Sequence, residues 1–441
     1  MKSIFKDHNW KVIAPSDNSV IFSLLEIVIE GPSNVEYVSI QVSLLYPDNS
    51  QVIEESEQEN IREGRTSFIL HTHLIRNGLV ILKVNLQSQS GSSFCLASRR
   101  YHVKNNGKLS AQVKNSLQES GVNIFEIGPP DSSLYDYSDS SLKPWFDSDK
   151  AEDHINGLLE KKKVDIVIAE VLRQFVDQGF ILLESFIEDD LIQAINASLD
   201  EAIDINWQGY KPYSSQRLEG LHLKYEPINK LWLHPEILKL LRIIFEEDVI
   251  PCQTLSYICG SQQDAHQDTI HLTPFPAGYM CGVWVALEDV QPGSGELFYY
   301  PRSHRTKRLY MNDKQCGKVR HGDWTEFAEK IVKEWQHVPD RGNFDKVLFY
   351  PKKGSVLIWH ENLLHGGAVR ENKYLTRKSI VSHYFANGSL IYFDSTGSVP
   401  FLTKPDQPLS TSHEFTNHKK FRNLLPNFFR SNARKLKIFR K

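Results

Sequence analysis

Cysteine is scarce in this chain, and its spacing excludes two classes of cross-linked protein. The 441 residues include five cysteines, at positions 95, 252, 259, 281 and 316, with no Cys-x-x-Cys pair among them. An odd and widely spaced set is neither a disulfide framework nor a zinc ribbon. Reduced thiols are typical of the cytoplasm, so we expect a cytoplasmic protein.

Long apolar runs and a strong net charge are also missing. No run reaches the roughly 18 apolar residues that a membrane-spanning helix needs. The segment that begins Met-Lys-Ser-Ile-Phe lacks the apolar core of a signal peptide. The formal net charge of −3 does not indicate nucleic-acid binding. Hydrophobic residues make up 40% and charged residues 24% of the chain, which is typical of a globular protein. The length of 441 residues favours two or three domains.

Strand patterns dominate the first hundred residues. Val38, Ile40, Val42 and Leu44 alternate with polar residues, which is the period of a half-buried strand. Asn77-Gly78 lies between two further apolar segments and favours a tight hairpin there. We therefore predict an antiparallel β-sandwich over residues 1–105, followed by a polar linker over residues 106–150.

The remainder of the chain first shows helical and then strand periodicity. Apolar residues recur at helical spacing in residues 164–178, after Glu188, and after His234-Pro235. Short strands follow at 253–259, 279–287, 296–300, 354–359 and 379–385. This order predicts an α+β, mostly β domain over residues 151–400, built around a barrel or double sheet with flanking helices.

Two segments interrupt or follow that domain. Residues 306–349 are charged, contain an amphipathic helix at about 324–335, and are predicted to form a lid-like insertion. Residues 401–441 form a tail without acidic residues after Glu414. Residues 418–441 mix basic and apolar side chains, which fits contact with a membrane surface or an acidic partner, or else a frayed or self-docked segment.

The residues His266 and Asp268 have the spacing of metal ligands on an extended segment, where side chains at i and i+2 point the same way. A distant histidine, His365, would complete one face of an octahedron. Two imidazoles and one carboxylate suit Fe(II) and leave three positions open. Gly366 and Gly367 follow His365 and would allow the backbone to approach a bound ligand.

Arg377 lies twelve residues after His365 on the next strand. A guanidinium is a planar donor fork that suits the far end of a dicarboxylate. The alternative is an ordinary surface ion pair. Together with the three ligand residues, Arg377 favours a dicarboxylate site.

At this point the sequence resembles the phytanoyl-CoA dioxygenase family over about residues 165–390. The shared features are motifs in the same order and spacing. They are Asp177-Gln178-Gly179-Phe180, His234-Pro235-Glu236, His266-Gln267-Asp268, Trp284-Val285-Ala286-Leu287, Gly295-Glu296-Leu297, Pro301-Arg302-Ser303-His304, Leu364-His365-Gly366-Gly367 and Arg377-Lys378-Ser379. The family usually has glycine where Arg302 stands, so the turn before His304 is expected to differ.

The resemblance implies a double-stranded β-helix (jelly-roll) with Fe(II) held by His266, Asp268 and His365. It also implies 2-oxoglutarate, with its far carboxylate on Arg377, and dioxygen. Oxidative decarboxylation to succinate and carbon dioxide would drive hydroxylation of a C–H bond. Trp284 matches a cosubstrate-pocket position.

Other residues have weaker assignments under the same resemblance. Gln253 and Lys224 are candidates for contact with the near carboxylate or the substrate. His271 and His360 are competing ligand candidates, and we expect His360 to be buried behind the ligands. Because the carboxylate of Asp268 is present, the resemblance favours hydroxylation over halogenation.

Two other functions remain open at this stage. The chain could be a non-catalytic binding or scaffold protein, with a carbohydrate- or protein-binding sandwich, or a metallohydrolase with the same ligands. The substrate expected of a dioxygenase is a small molecule or a glycan- or lipid-linked intermediate. Nothing in the sequence singles out a CoA pocket.

Overall fold

The structure is a computed structural model that describes part of the chain. The described residues are 10–15, 17, 19–21, 24–31, 39–47, 52–59, 65–72, 75, 78–87, 93–103, 107–121 and 131–398. The described residues divide into two compact units, one formed by those up to Leu142 together with those from Asn387 onward, and a second formed by Lys143–Ala386. The basic tail predicted at 401–441 lies outside the described residues, and the predicted domain boundaries remain predictions.

The first unit contains two sheets. Its strands are β1 (Lys11–Ile13), β2 (Ser19–Ile21), β3 (Leu24–Glu30), β4 (Ser39–Leu45), β5 (Val52–Glu59), β6 (Arg65–His71), β7 (Gly78–Gln87) and β8 (Ser93–Val103), and helix α1 (Lys108–Glu119) follows. One sheet has the order β1-β3-β6 and the other β2-β8-β7-β4-β5. Every pair is antiparallel except β2 with β8.

Alternating side chains of these sheets form one hydrophobic cluster. Ile40, Val42 and Leu44 of β4 are fully buried, as the sequence period predicted. They share the cluster with Ile27 of β3 and Phe68 of β6, which belong to the other sheet. Each such side chain contributes roughly 1.5–3 kcal/mol through burial. The sandwich arrangement itself stays a prediction.

The hairpin predicted at Asn77-Gly78 is wrong. Strand β6 ends at His71 and pairs with β3, whereas β7 begins at Gly78 and pairs with β4 and β8 in the other sheet. Asn77 itself lies outside the described residues. The chain therefore changes sheets here instead of turning back on itself.

The second unit combines nine short strands with a two-residue one and several helices. Its helices are α2 (Ala151–Glu160), α3 (Ile166–Gln178), α4 (Asp189–Asp204), α5 (Glu226–Trp232), α6 (Pro235–Phe245), α7 (Thr325–Phe327), α8 (Lys333–Gln336) and α9 (Val338–Gly342). Its strands are β9 (Phe180–Leu183), β10 (Arg217–Glu219), β11 (Val249–Tyr257), β12 (Thr273–Phe275), β13 (Met280–Ala286), β14 (Leu297–Tyr299), β15 (Val347–Leu348), β16 (Val356–His360), β17 (His365–Gly367) and β18 (Ser379–Ala386). Strand β19 (Leu390–Tyr392) belongs to the first unit.

The predicted helices of this unit are confirmed, and local chemistry explains their ends. The Asp165 carboxylate accepts the N–H groups of Val167 and Ile168 and so caps α3. Gly179 ends the same helix with a φ of 81°, a conformation that costs glycine little. Pro235 stands in the first turn of α6, where its missing N–H has no helical partner to lose.

Two antiparallel sheets carry the site. One has the order β10-β11-β18-β13-β16-β9 and the other β15-β14-β17. The described chain is thus sheet-rich with flanking helices, which confirms the mixed class predicted from the sequence. No helix among the described residues has both the length and the apolar character that crossing a membrane requires.

The segment at 306–349 folds onto the rest of its unit. Helix α7, a π-helical turn at Ala328–Val332 and α8 are continuous and match the helix predicted at 324–335. Phe327, Ile331 and Trp335 pack with Ile270 and Leu364, which flank the predicted ligands. The insertion and the ligand-bearing segments therefore share one hydrophobic cluster.

Candidate metal centre

The two predicted histidine ligands lie on paired backbone segments. The N–H of His266 donates to the carbonyl of His365 at 2.8 Å, and the N–H of His365 donates to the carbonyl of His266 at 3.0 Å. A Cβ on Gly366 would lie 2.7 Å from the Gln263 carbonyl oxygen. The glycines after His365 therefore allow a close approach of two backbone segments, and their approach to a bound ligand stays a prediction.

The structure brings His266, Asp268 and His365 together, all three buried, with ligand atoms within 4.8 Å of one another. The Nε2 atoms of His266 and His365 lie 3.6 and 3.8 Å from Oδ1 of Asp268. Burial lowers the pKa of His266 to about 3, so its imidazole is neutral at neutral pH. A neutral imidazole is the form that binds a metal.

Backbone carbonyls fix the orientation of both imidazoles. The Nδ1 atoms of His266 and His365 each lie 2.9 Å from a carbonyl oxygen, that of Asp264 and that of Leu363. Since a carbonyl only accepts, Nδ1 carries a proton in each ring, and in the neutral ring that binds a metal Nε2 keeps its lone pair. Both lone pairs are therefore available on the atoms that face Asp268.

Two side chains that the sequence analysis missed contact Asp268. The indole N–H of Trp359 donates to Oδ2 of Asp268 at 2.8 Å, and Nε2 of His383 lies 3.6 Å from the same oxygen. Burial alone would raise the pKa of Asp268, but the histidines around it lower it well below its usual range. The carboxylate is therefore ionised, as a metal ligand must be.

Strand register explains how distant residues meet at Asp268. Gln253 of β11 stands opposite His383 of β18, His383 opposite Gly282 of β13, and Gly282 opposite Trp359 of β16. These four positions form one row across the sheet, on one face. The amide of Gln253 lies 3.3 Å from Nδ1 of His383, so Gln253 reaches the centre through that histidine.

Arg377 is buried and has little to bind within the protein. Its side chain is 2% exposed, and one terminal nitrogen donates to the carbonyl of Gly295 at 3.0 Å. The Nε atom has no partner, and no carboxylate among the described residues forms an ion pair with Arg377. Burial lowers its pKa to about 10, so the group is still cationic at neutral pH. These facts do not fit the surface ion pair considered above.

Trp284 lies beside Arg377. The guanidinium carbon is 5.9 Å from the centre of the indole, and the buried indole N–H has no hydrogen-bond partner. Tyr257 is the other ring near Arg377, at 5.7 Å, and burial raises the pKa of its hydroxyl. Two aromatic rings therefore lie beside the buried guanidinium.

Lys224 lies apart from this set. It is exposed, and its ammonium group lies 5.4 and 5.1 Å from the ring centres of Trp207 and Tyr225. No contact with the three ligands is found for Lys224 in the described part of the chain. The role predicted for it in binding cosubstrate or substrate stays a prediction.

The competing histidine His360 belongs to a buried ionic network behind the ligands, as expected. Its Nδ1 accepts the N–H of Asn362 at 3.0 Å, and its Nε2 lies 3.2 Å from Asp147. Arg308 links Asp147 and Glu361, at 2.7 Å from each. The backbone carbonyl of Glu361 in turn accepts the N–H of Asp268, so this network supports the ligand loop.

Three neighbouring side chains complete the surroundings of the ligands. His271 packs among the aromatic rings of the insertion, and His304 lies 3.2 Å from the carbonyl of Val176 and is buried. Neither joins the ligand cluster. Arg302 takes a φ of 70°, the left-handed conformation that suits glycine, so the turn before His304 has the backbone that a glycine would give it.

Gln267, between the two ligands of His-x-Asp, points away from them. Its amide oxygen accepts the indole N–H of Trp335 at 3.0 Å, and its amide nitrogen donates to the carbonyl of Asn362 at 3.0 Å. Successive side chains of an extended segment point to opposite sides. One side of this segment therefore carries the ligands and the other fastens the insertion.

Comparison with known proteins identifies similar chains. The sequence model of the phytanoyl-CoA dioxygenase family matches residues 175–378. Phytanoyl-CoA dioxygenase domain-containing protein 1 of Danio rerio is 28% identical over 156 residues, which cover 33% of this chain and 48% of that protein. The match thus spans about half the length of this curated relative.

Solved structures with partial similarity cover about half of this chain. The α-ketoglutarate-dependent carbocyclase SnoK from nogalamycin biosynthesis is 17% identical, with a TM-score of 0.40, over 51% of this chain and 85% of its own. EctD from S. alaskensis, solved with 2-oxoglutarate and 5-hydroxyectoine, is 16% identical, with a TM-score of 0.39, over 51% of this chain and 77% of its own. Overlap at this level does not assign a function.

Proposed function

Residues 175–378 belong to the phytanoyl-CoA dioxygenase family, and on this premise we propose that the chain is an Fe(II)- and 2-oxoglutarate-dependent dioxygenase. The observation that carries the proposal is the convergence of His266, Asp268 and His365, together with a buried Arg377 that has no counter-ion among the described residues. The proposal includes a double-stranded β-helix arrangement for the strands of the second unit.

The donor set fits Fe(II). Two imidazoles whose Nδ1 atoms are bound to carbonyls present Nε2, and an ionised carboxylate presents Oδ1 between them. A site of two histidines and one carboxylate leaves coordination positions open, which a purely structural metal site does not need. His266, Asp268 and His365 would therefore hold the metal.

The surroundings of Arg377 fit 2-oxoglutarate. A buried guanidinium without a carboxylate partner is costly, because charge is removed from water without compensation. The far carboxylate of 2-oxoglutarate would supply the missing partner in a planar, two-point contact. Trp284 offers a second buried donor beside it. When bound, iron, 2-oxoglutarate and dioxygen together supply the oxidising chemistry, with succinate and carbon dioxide as the coproducts.

The protein's own residues provide orientation and exclusion of water in this proposal. The carbonyls of Asp264 and Leu363 hold the imidazoles in one tautomer, and Trp359 holds Asp268. Burial of the three ligands keeps bulk water from them. Such fixed positioning is what a protein contributes to metal-assisted catalysis.

The reaction proposed is hydroxylation of a C–H bond in a small molecule or a glycan- or lipid-linked intermediate, in the cytoplasm. Asp268 supports hydroxylation over halogenation, because its carboxylate takes the position that a halide would need. The long insertion at 306–349 affects the part of the site where a substrate would bind. We therefore do not propose an acyl-CoA substrate on the basis of the family name.

Succinate release tests this function. The full chain is purified without oxygen, loaded with Fe(II), and given 2-oxoglutarate and then oxygen, and slow release of succinate is expected even without the substrate. Asp268→Ala removes one ligand and should abolish release and lower the iron content. The proposal fails if the wild-type chain binds neither iron nor 2-oxoglutarate. Zinc content with no binding of 2-oxoglutarate would favour a metallohydrolase.

A further inference from the structure

We propose that Trp359 is a positioning residue that fixes Asp268 so that a single carboxylate oxygen faces the metal. The inference rests on the proposed metal site and goes beyond it, because Trp359 is not itself a ligand. It explains which of the two carboxylate oxygens of Asp268 is available to bind the metal.

The two oxygens of Asp268 have different surroundings. Oδ2 accepts the indole N–H of Trp359 at 2.8 Å, whereas Oδ1 faces the Nε2 atoms of His266 and His365 at 3.6 and 3.8 Å. Within the described part of the chain, no N–H or O–H group donates a hydrogen bond to Oδ1. A hydrogen bond to an ionised carboxylate is among the stronger ones, so the indole restricts rotation of the carboxylate.

A second polar side chain lies near the same oxygen. The amide nitrogen of Gln253 lies 3.3 Å from Nδ1 of His383, so Nδ1 is the accepting nitrogen of that ring and Nε2 carries the proton. That Nε2 lies 3.6 Å from Oδ2 of Asp268. Trp359 on β16 and His383 on β18 thus both lie beside Oδ2, on the two strands that flank β13.

Glycine at position 282 makes room for the indole. A Cβ built on Gly282 would lie 2.3 Å from the Trp359 ring, so the ring occupies the space that any other residue's side chain would take. Glycine inside a strand weakens the strand and often marks a close approach. Here Gly282 stands directly opposite both Trp359 and His383. The absence of a side chain at Gly282 therefore leaves the space in which the indole of Trp359 reaches Asp268.

The hydrogen bond from Trp359 would determine how many oxygens of Asp268 bind the metal. A carboxylate with both oxygens free can bind a metal through either or both of them. With Oδ2 occupied, Asp268 would use Oδ1 alone, which leaves more of the metal's coordination sphere for other ligands. Loss of such an outer partner typically lowers metal affinity or activity roughly 10–100-fold.

Cobalt binding tests the inference without turnover. Co(II) is titrated into the metal-free full chain and followed by its visible absorption, which responds to coordination number. Trp359→Phe keeps a buried ring and removes only the donor. We expect the Kd for Co(II) to rise roughly 10–100-fold and the absorption spectrum to change as Oδ2 becomes free. Trp232→Phe is the matched control, because the Trp232 indole is buried and its N–H has no partner to lose.

The outcomes separate this inference from the proposed function. If the wild-type chain does not bind Co(II), the metal site itself fails. If Trp359→Phe binds Co(II) with the wild-type affinity and spectrum, or if Trp232→Phe weakens binding equally, the positioning role is refuted. Should Trp359→Phe not fold, Gly282→Ala displaces the indole from Oδ2, and an unchanged Co(II) affinity and spectrum in that variant counts against the proposal.

Discussion

Replacing Arg377 with methionine should separate stability from function. The guanidinium is buried, lacks an ion-pair partner among the described residues, and has an Nε atom without a hydrogen bond. Its only described hydrogen bond is to the carbonyl of Gly295. Methionine fills a similar volume without charge. The variant should therefore fold normally and lose affinity for 2-oxoglutarate.

The magnitudes follow from the contacts. The lost hydrogen bond costs about 1.5 kcal/mol, and removal of the unpartnered, buried Nε regains about 1–3 kcal/mol, so the net change in unfolding free energy is near zero. Removing the guanidinium from a two-point contact with the carboxylate of 2-oxoglutarate should cost about 3–4 kcal/mol of binding free energy. That loss corresponds to a rise in the Kd for 2-oxoglutarate of roughly 10²–10³-fold.

Calorimetric titration of the Mn(II)-loaded protein with 2-oxoglutarate measures the binding change, and denaturant unfolding measures stability. Arg308→Met is the control, because Arg308 is paired with Asp147 and Glu361 at 2.7 Å each. Leaving two buried carboxylates without their cation should cost about 3–5 kcal/mol. Wild-type affinity for 2-oxoglutarate in Arg377→Met, or equal destabilisation by both substitutions, would refute the reasoning.

Three other outcomes are expected. Gly282→Ala should destabilise the fold by about 1–3 kcal/mol through overpacking, whereas Gly157→Ala, in an open helical position, should stabilise it by about 0.5–1 kcal/mol, as measured by urea midpoints. Burial lowers the pKa of His222 to about 4, so the stability linked to this neutral ring is complete above pH 6.5 and lost as the pH falls toward 4. His222→Gln should flatten the acid limb of the stability profile, and an unchanged limb would contradict this assignment. In thiol titration of the native chain, the exposed Cys95 should react first. Burial raises the pKa of Cys252 to about 12, and the other three cysteines are also buried. Simultaneous reaction of all five thiols would contradict their burial.

The sequence predicted those parts of the site that depend on local spacing. His266 and Asp268 share one short segment, so their common direction follows from the period of extended backbone. The helices at α3 and α6 were predictable for the same reason, because their caps and apolar periods are local. Arg377 was predicted from its type and order in the chain, and its burial strengthens that prediction.

The parts that were missed depend on strand register. Trp359 and His383 lie on one face of the sheet only because β16, β13 and β18 pair in one particular alignment, which no local pattern specifies. Gly282 was the available signal, since a glycine within an otherwise apolar strand indicates a close approach. The hairpin at Asn77-Gly78 failed for a related reason. Turn chemistry describes four residues and does not determine which sheet the following strand joins.

The contacts of Gln267 also restrict the lid predicted at 306–349. Movement of α8 away from the site would break the hydrogen bond between Trp335 and Gln267 and expose the cluster around Ile331. Because Gln267 lies between two metal-ligand candidates, the same movement would disturb their backbone. An opening motion of the insertion therefore has to occur beyond Trp335 or before Phe327, where side chains such as Trp324 are already partly exposed. The base of the insertion is thereby part of the ligand-bearing structure, and only its outer segments are free to act as a lid.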